Sequence, residues 1–168
     1  SAYREVVARA YRLPASLAGR SVAQVEALWP ASQRVIVGRV RRGDALIEAL
    51  PAMQLEDGDV VAVAGGQEAL LAADAPLRDE VLDRELLAVP TVSADLVLTH
   101  PRLSGQTLGA LGRELGARGV FLRKLRRAGR ELPSTAQTVV ERGDVMTVVG
   151  AQSEVARLAA DVGYAEYA

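Results

Sequence analysis

The chain has 168 residues, 49% of them apolar, and a formal net charge of −1. Disorder is therefore not expected, nor is a whole-molecule field that would attract nucleic acid or anionic lipid. There is no cysteine and a single histidine, His100, which excludes disulfides, thiolate metal sites and any multi-histidine centre. No apolar run approaches the roughly 18 residues of a spanning helix. No signal peptide is visible, and the start without methionine points to a piece excised from a longer protein.

In chain order, residues 3–11 read as a strand of β-branched and aromatic residues that Pro14 ends. A helix follows to Trp29, with Val22, Val25 and Trp29 on one face. Ser21 and Gln24 have capping-box spacing, and Pro30 stops the helix. Residues 34–41 form a basic strand, Arg42-Gly43-Asp44 a turn, and residues 45–53 a return strand broken by Pro51. Then comes Gly58-Asp59 with the valine-rich strand 60–64, Gly65, and a short apolar helix from Glu68.

The same order returns. Gly58 to Gly65 reappears 85 residues later as Gly143 to Gly150. Leu108, Leu111 and Leu115 take the places of Val22, Val25 and Trp29, and Thr107 that of Ser21. Residues 119–126 match the basic strand, Pro133 breaks the second return strand, and a helix runs to about Val162. The fold class is α+β: two β-α-β-β-β-α modules, residues 1–74 and 91–168, joined by a connecting helix or ordered linker over 75–90. In that linker Leu77, Val81 and Leu82 share one helical face. A half of about 75 residues buries only about 60% of its unfolded surface, against about 70% for the whole. Each half has more sheet face than helix to cover it, so packing about a pseudo-twofold, or pairing of two chains, is expected.

Chemistry-bearing residues are few. Gly65-Gly66 follows a buried strand but lacks the G-x-G-x-x-G of a dinucleotide turn, and reads as a strand-to-helix turn. Arg41-Arg42, and Arg123, Lys124, Arg126 and Arg127 with Arg130 nearby, are the densest basic clusters; Arg41, Arg42, Arg126 and Arg127 are the candidate positions for an anion, a nucleotide or lipid heads, or else the clusters guard a strand edge. His100 precedes Pro101 without a nucleophile motif and reads as a surface residue. Asp59 and Asp144 are equivalent by repeat, whereas an acid–base pair needs two unlike environments. Gly58-Asp59 and Gly143-Asp144 are therefore structural turns, with each aspartate bonding backbone two residues on. No catalytic, cofactor or metal residues are assigned, and an enzyme is not expected.

These residues resemble a known family. Gly105-Gln106-Thr107-Leu108, Arg126-Arg127 and Gly143 to Gly150, with their counterparts Gly19 to Val22 and Gly58 to Gly65, are similar to the TrkA-C (RCK-C) module of bacterial potassium-transport regulators. Residues 80–83, Leu86 to Pro90, Gly119 to Lys124, Leu132-Pro133 and Val162 to Tyr164 resemble the aspartate–alanine exchanger family, in which two such modules form a cytoplasmic loop between membrane halves. The resemblance implies a regulatory, ligand-sensing or assembly domain on the cytoplasmic face of the inner membrane. Its partners would be the membrane-embedded halves of the same transporter and further copies of itself, with no nucleic acid. It implies no cofactor beyond an unidentified small-molecule or ion effector. The alternative is the regulatory region of a potassium channel or uptake system.

Overall fold

The computed structural model describes residues 6–168, so the first residues of the strand expected over 3–11 lie outside the described part. Residues 6–89 and 90–168 form two compact units.

The first unit is built on β1 (Val6–Arg12), β2 (Val35–Arg42), β3 (Ala45–Glu48) and β4 (Val60–Gly66). They form one antiparallel sheet in the order β1-β4-β2-β3. The central strand β4 is an almost unbroken run of valine and alanine, and it is buried on both faces. One face packs against α1 (Val22–Glu26) and α2 (Gln67–Leu71), with Val22, Val25, Val37, Val40, Leu55 and Val61 fully enclosed. Trp29 lies just past α1 on the same face and donates its indole N–H to the Ala69 carbonyl at 3.2 Å. Gly65 and Gly66 belong to β4 rather than to a turn, and α2 starts directly after them. The reason is close packing: a Cβ on Gly65 would stand 3.0 Å from Val35 and 3.1 Å from the Arg34 carbonyl.

The expected capping box forms. The Gln24 N–H donates to Ser21 Oγ at 3.1 Å, and the Ser21 N–H donates to Gln24 Oε1 at 2.8 Å. Ser21→Ala is expected to destabilise the first unit by about 1 kcal/mol. Urea unfolding followed by the single tryptophan, Trp29, reads this, and an unmoved midpoint would count against it.

The segment read as a connecting helix is different in the structure. Ala75 and Leu77 are buried in the core of the first unit. Next to them the chain runs extended along the edge of β1. The Arg12 N–H donates to the Asp79 carbonyl and the Val81 N–H to the Ala10 carbonyl, with Glu80 opposite Tyr11. Those main-chain bonds override the amphipathic spacing, and Leu82, expected on the apolar face, is 81% exposed. Only α3 (Arg84–Leu87) is helical, one turn started by Asp83, whose carboxylate accepts the Leu86 N–H. Leu86 is fully buried against Ala10, Val60 and Ala62 on the second face of the sheet. In this unit the bare face is thus closed by the unit's own chain.

The second unit contains β5 (Thr91–Leu98), α4 (Leu108–Leu115), β6 (Val120–Arg127), β7 (Arg130–Leu132), β8 (Val145–Ala151), α5 (Gln152–Val162) and β9 (Gly163–Tyr167). Its sheet is antiparallel in the order β7-β6-β8-β5-β9. Both sheets carry a bulge at the same place, between Val37 and Arg39 and between Leu122 and Lys124. Thr107 caps α4 by accepting the Ala110 N–H, and Gly116 ends it at φ 59°, which suits glycine. Leu98, Leu103, Leu125, Val140 and Val155 fill the core under α4 and α5. The sequence pattern ends with the helix near Val162 and does not reveal β9, which adds a fifth strand beside β5.

Candidate functional site

The repeated Gly-Asp turn and the repeated arginine pair meet in both units. Gly58 and Gly143 sit at φ 87° and 94°, values that favour glycine. Each glycine lets the chain turn so that the following aspartate points inward. Asp59 is 1% exposed and Asp144 is fully buried, the only buried charged side chains among the described residues.

Each carboxylate faces the last arginine of the neighbouring strand. Arg42 donates from Nε to Asp59 Oδ1 at 3.0 Å and from Nη2 to Oδ2 at 2.8 Å. Arg127 does the same to Asp144, at 2.8 and 2.9 Å. Nη2 of each arginine also reaches a carbonyl, Gln54 at 3.1 Å or Val139 at 2.9 Å. The Asp59 carboxylate accepts the Glu56 N–H, and the Asp144 carboxylate accepts the Glu141 N–H, both at 2.8 Å. The turn is therefore closed by a backbone group three residues earlier, not by one two residues on as the sequence suggested. Glu56 and Glu141 stand 3.2 and 3.5 Å from the two guanidiniums.

This geometry sets the charge states. Burial pushes the Asp144 carboxyl upward, but the Arg127 hydrogen bonds, the Glu141 N–H and the guanidinium charge overcome it and hold the group below its ordinary value. Hydrogen bonding to Asp59 and Asp144 raises Arg42 and Arg127 further. The Asp144 carboxylate, locked by a bidentate arginine and a backbone N–H, is neither a proton donor nor a free nucleophile near neutral pH.

Arg41 and Arg126 share one register, opposite Val60 and Val145 on the central strands. Arg41 grips Asp83 at 2.6 and 3.1 Å and Glu85 at 3.1 Å. Arg126 reaches Asp95 at 2.9 Å, while Thr147 donates its hydroxyl to the other Asp95 oxygen at 2.6 Å. All four arginines singled out in the sequence are thus engaged by carboxylates of their own unit. An anion arriving there has an aspartate to displace. His100 is exposed and its N–H donates to the Val162 carbonyl. Among the described residues, no group of three or more His, Cys, Asp or Glu side chains stands together as a metal site.

The arginine–aspartate partnership itself went unread in the sequence. Its signal was there: Arg42 precedes Asp59, and Arg127 precedes Asp144, by the same 17 residues.

Residues 9–78 match the TrkA-C domain family. They span β1 to the extended stretch after Leu77, and so include the whole Arg42–Asp59 site. A TrkA-C domain is present. The TrkA-C match ends at residue 78, where the chain runs along β1, and the second unit repeats its elements and its arginine–aspartate site.

The chain is similar, at 35% identity over 97% of its length, to an uncharacterized transporter of Bradyrhizobium diazoefficiens, of which it covers 32%. An uncharacterized transporter of Bordetella parapertussis is 38% identical over 95% of the chain, which spans 28% of that protein. One of Shewanella oneidensis is 34% identical over 86% of the chain and 26% of its own length. The chain thus spans about a third or less of these relatives. Among the described residues no helix is long and apolar enough to cross a membrane.

Proposed function

We propose that the chain is a tandem pair of TrkA-C modules serving as the cytoplasmic regulatory or assembly domain of a bacterial transporter of the aspartate–alanine exchanger type. The observation that carries this reading is the extent of the match. The alignment runs through both units, 97% of the chain, yet takes up only 32% of a longer protein named a transporter. A piece that recurs whole inside a transporter has its work there. The matched geometry of Arg42–Asp59 and Arg127–Asp144 supports a second TrkA-C module in the second unit.

In this reading the membrane-embedded parts of the same protein carry the substrate and are the domain's partners, and no reaction is catalysed here. The arginine–aspartate sites are structural. An effector, a small molecule or an ion, would bind elsewhere than at Arg41, Arg42, Arg126 or Arg127, whose guanidiniums are engaged.

The full-length protein in proteoliposomes tests this. Aspartate–alanine counterflow is expected, and deletion of the two-unit domain should change its rate or its assembly without creating a new substrate. Potassium flux in its place would move the assignment to potassium uptake. Absence of membrane spans on both sides of the domain would overturn the reading.

A further inference from the structure

Arg41 and Arg126 occupy the same position in two copies of one sheet, yet their carboxylates come from different places. In the second unit Asp95 and Thr147 are cross-strand neighbours within the sheet, and Arg126 finds its carboxylate there. The matching cross-strand pair in the first unit is Ala10 and Ala62. That sheet offers Arg41 no acid and leaves a shallow apolar floor. Both needs are met by the chain between the units. Asp83 and Glu85 bind Arg41, Arg39 reaches the Glu85 and Leu86 carbonyls at 3.4 and 3.2 Å, and Leu86 fills the floor.

The fastening is unusual in kind. Up to Val81 the chain is tied to β1 by main-chain hydrogen bonds. From Leu82 to Val89 the main-chain bonds found stay inside the segment: Leu87 to Asp83, Ala88 to Glu85, Val89 to Leu87. Among the described residues side chains hold it down: Leu86 and Leu87 on the apolar floor, the bidentate Arg41–Asp83 pair with Asp83 13% exposed at its side chain, and the Arg39 and Glu85 contacts, with Glu85 70% exposed. The open contacts of Arg39 and Glu85 are individually weak and sensitive to salt, which leaves Leu86 and the Arg41–Asp83 pair as the main fastenings. Pro90 then enters the second unit, where its carbonyl accepts the Gln152 N–H.

We propose that residues 82–89 are a releasable strap, held to the first sheet by a socket of Arg39, Arg41, Ala10, Val60 and Ala62, and that its release lengthens the connection between the two units. Fully released, the eight residues span at most about 26 Å at about 3.3 Å each. The strap opens locally, without unfolding either sheet. This holds whether or not the chain belongs to a transporter.

Amide exchange of the whole chain tests the strap. The Leu87 and Ala88 amides should exchange at least about 100-fold faster than those of Val61 and Val63 in β4, with a weaker dependence on urea. Arg41→Gln, which leaves the hydrogen bonds inside the strap intact, should speed the strap amides at least about tenfold further and leave β4 unchanged. Leu86→Ala should act likewise, whereas Arg126→Gln should not alter the strap. Because the chain has no cysteine, spin labels can be placed at Glu68→Cys and Ser153→Cys, one exposed site in each unit. In the Arg41→Gln background a longer population should appear in their distance distribution. Strap amides that exchange with β4, or that Arg126→Gln accelerates equally, would overturn the release. An unchanged distance distribution in a variant whose strap amides are deprotected would overturn the change in reach.

Discussion

Replacing Asp144 by alanine is expected to destabilise the second unit by about 3 kcal/mol, near the lower end of what breaking a buried ion pair costs. The side chain is wholly buried, and its loss strands the Glu141 N–H and leaves the Arg127 guanidinium to the Val139 carbonyl at 2.9 Å and the Glu141 carboxylate at 3.5 Å. Arg127 is 35% exposed at its side chain and recovers some hydration, which keeps the effect from the upper end. Asp59→Ala should do the same in the first unit, where Trp29 fluorescence reports it. Asp144→Asn keeps the shape and removes the charge, so its defect should be smaller than that of alanine. It also supplies the pH test. The folded carboxyl sits below its unfolded value, so its contribution is complete above the unfolded value, about pH 4, and fades as pH falls through the folded one. Wild-type protein should lose stability in acid over that window, and Asp144→Asn should lose less. Equal acid slopes in the two proteins, or an alanine variant as stable as wild type, would show that the pair carries no net stability.

What could be read from the sequence was what local chemistry decides. Ser21 and Thr107 announce their helices because a capping hydroxyl and the N–H it accepts lie three residues apart. Gly58 and Gly143 announce their turns because few other residues take that backbone conformation. Pro51 and Pro133 lie just past the two return strands they end. The parts that escaped depend on partners far along the chain. Glu80 opposite Tyr11 and Ala165 opposite Leu96 occupy one register in the two sheets. Yet the first stretch makes an isolated bridge and the second makes strand β9. The difference is Asp83, which starts a helical turn and draws the chain across the sheet to Arg41, 42 residues away. Amphipathic spacing in residues 77–87 could not reveal this, since an edge strand and a strap also bury every second or third residue. The arginine pairs looked available in the sequence for the same reason: their carboxylates are supplied by the fold.

Gly150→Ala is expected to destabilise the second unit by about 2–3 kcal/mol, an overpacking defect rather than a lost ligand contact. Gly150 pairs with Val120 where β6 and β8 cross closely. A Cβ there would lie 2.6 Å from the Gly119 carbonyl oxygen and 3.1 Å from Val120 Cα. Both are backbone atoms, so no rotamer change relieves the clash, and the strands must part at that end. Gly65, its repeat partner, faces a milder obstacle, with Val35 Cγ2 at 3.0 Å and the Arg34 carbonyl at 3.1 Å. A methyl can move by a few tenths of an ångström, so Gly65→Ala should cost about 1 kcal/mol. The order of the two, measured by urea unfolding with amide exchange in β6 and β8 for one and Trp29 fluorescence for the other, is the decisive quantity. If Gly65→Ala proved the more damaging, strand crossing would not explain these glycines. Their place at the end of a buried strand would then need another cause. The expected order instead ties both glycines to the neighbouring strand. The repeated turn is then left with a single structural role, which is to bring a buried aspartate under an arginine.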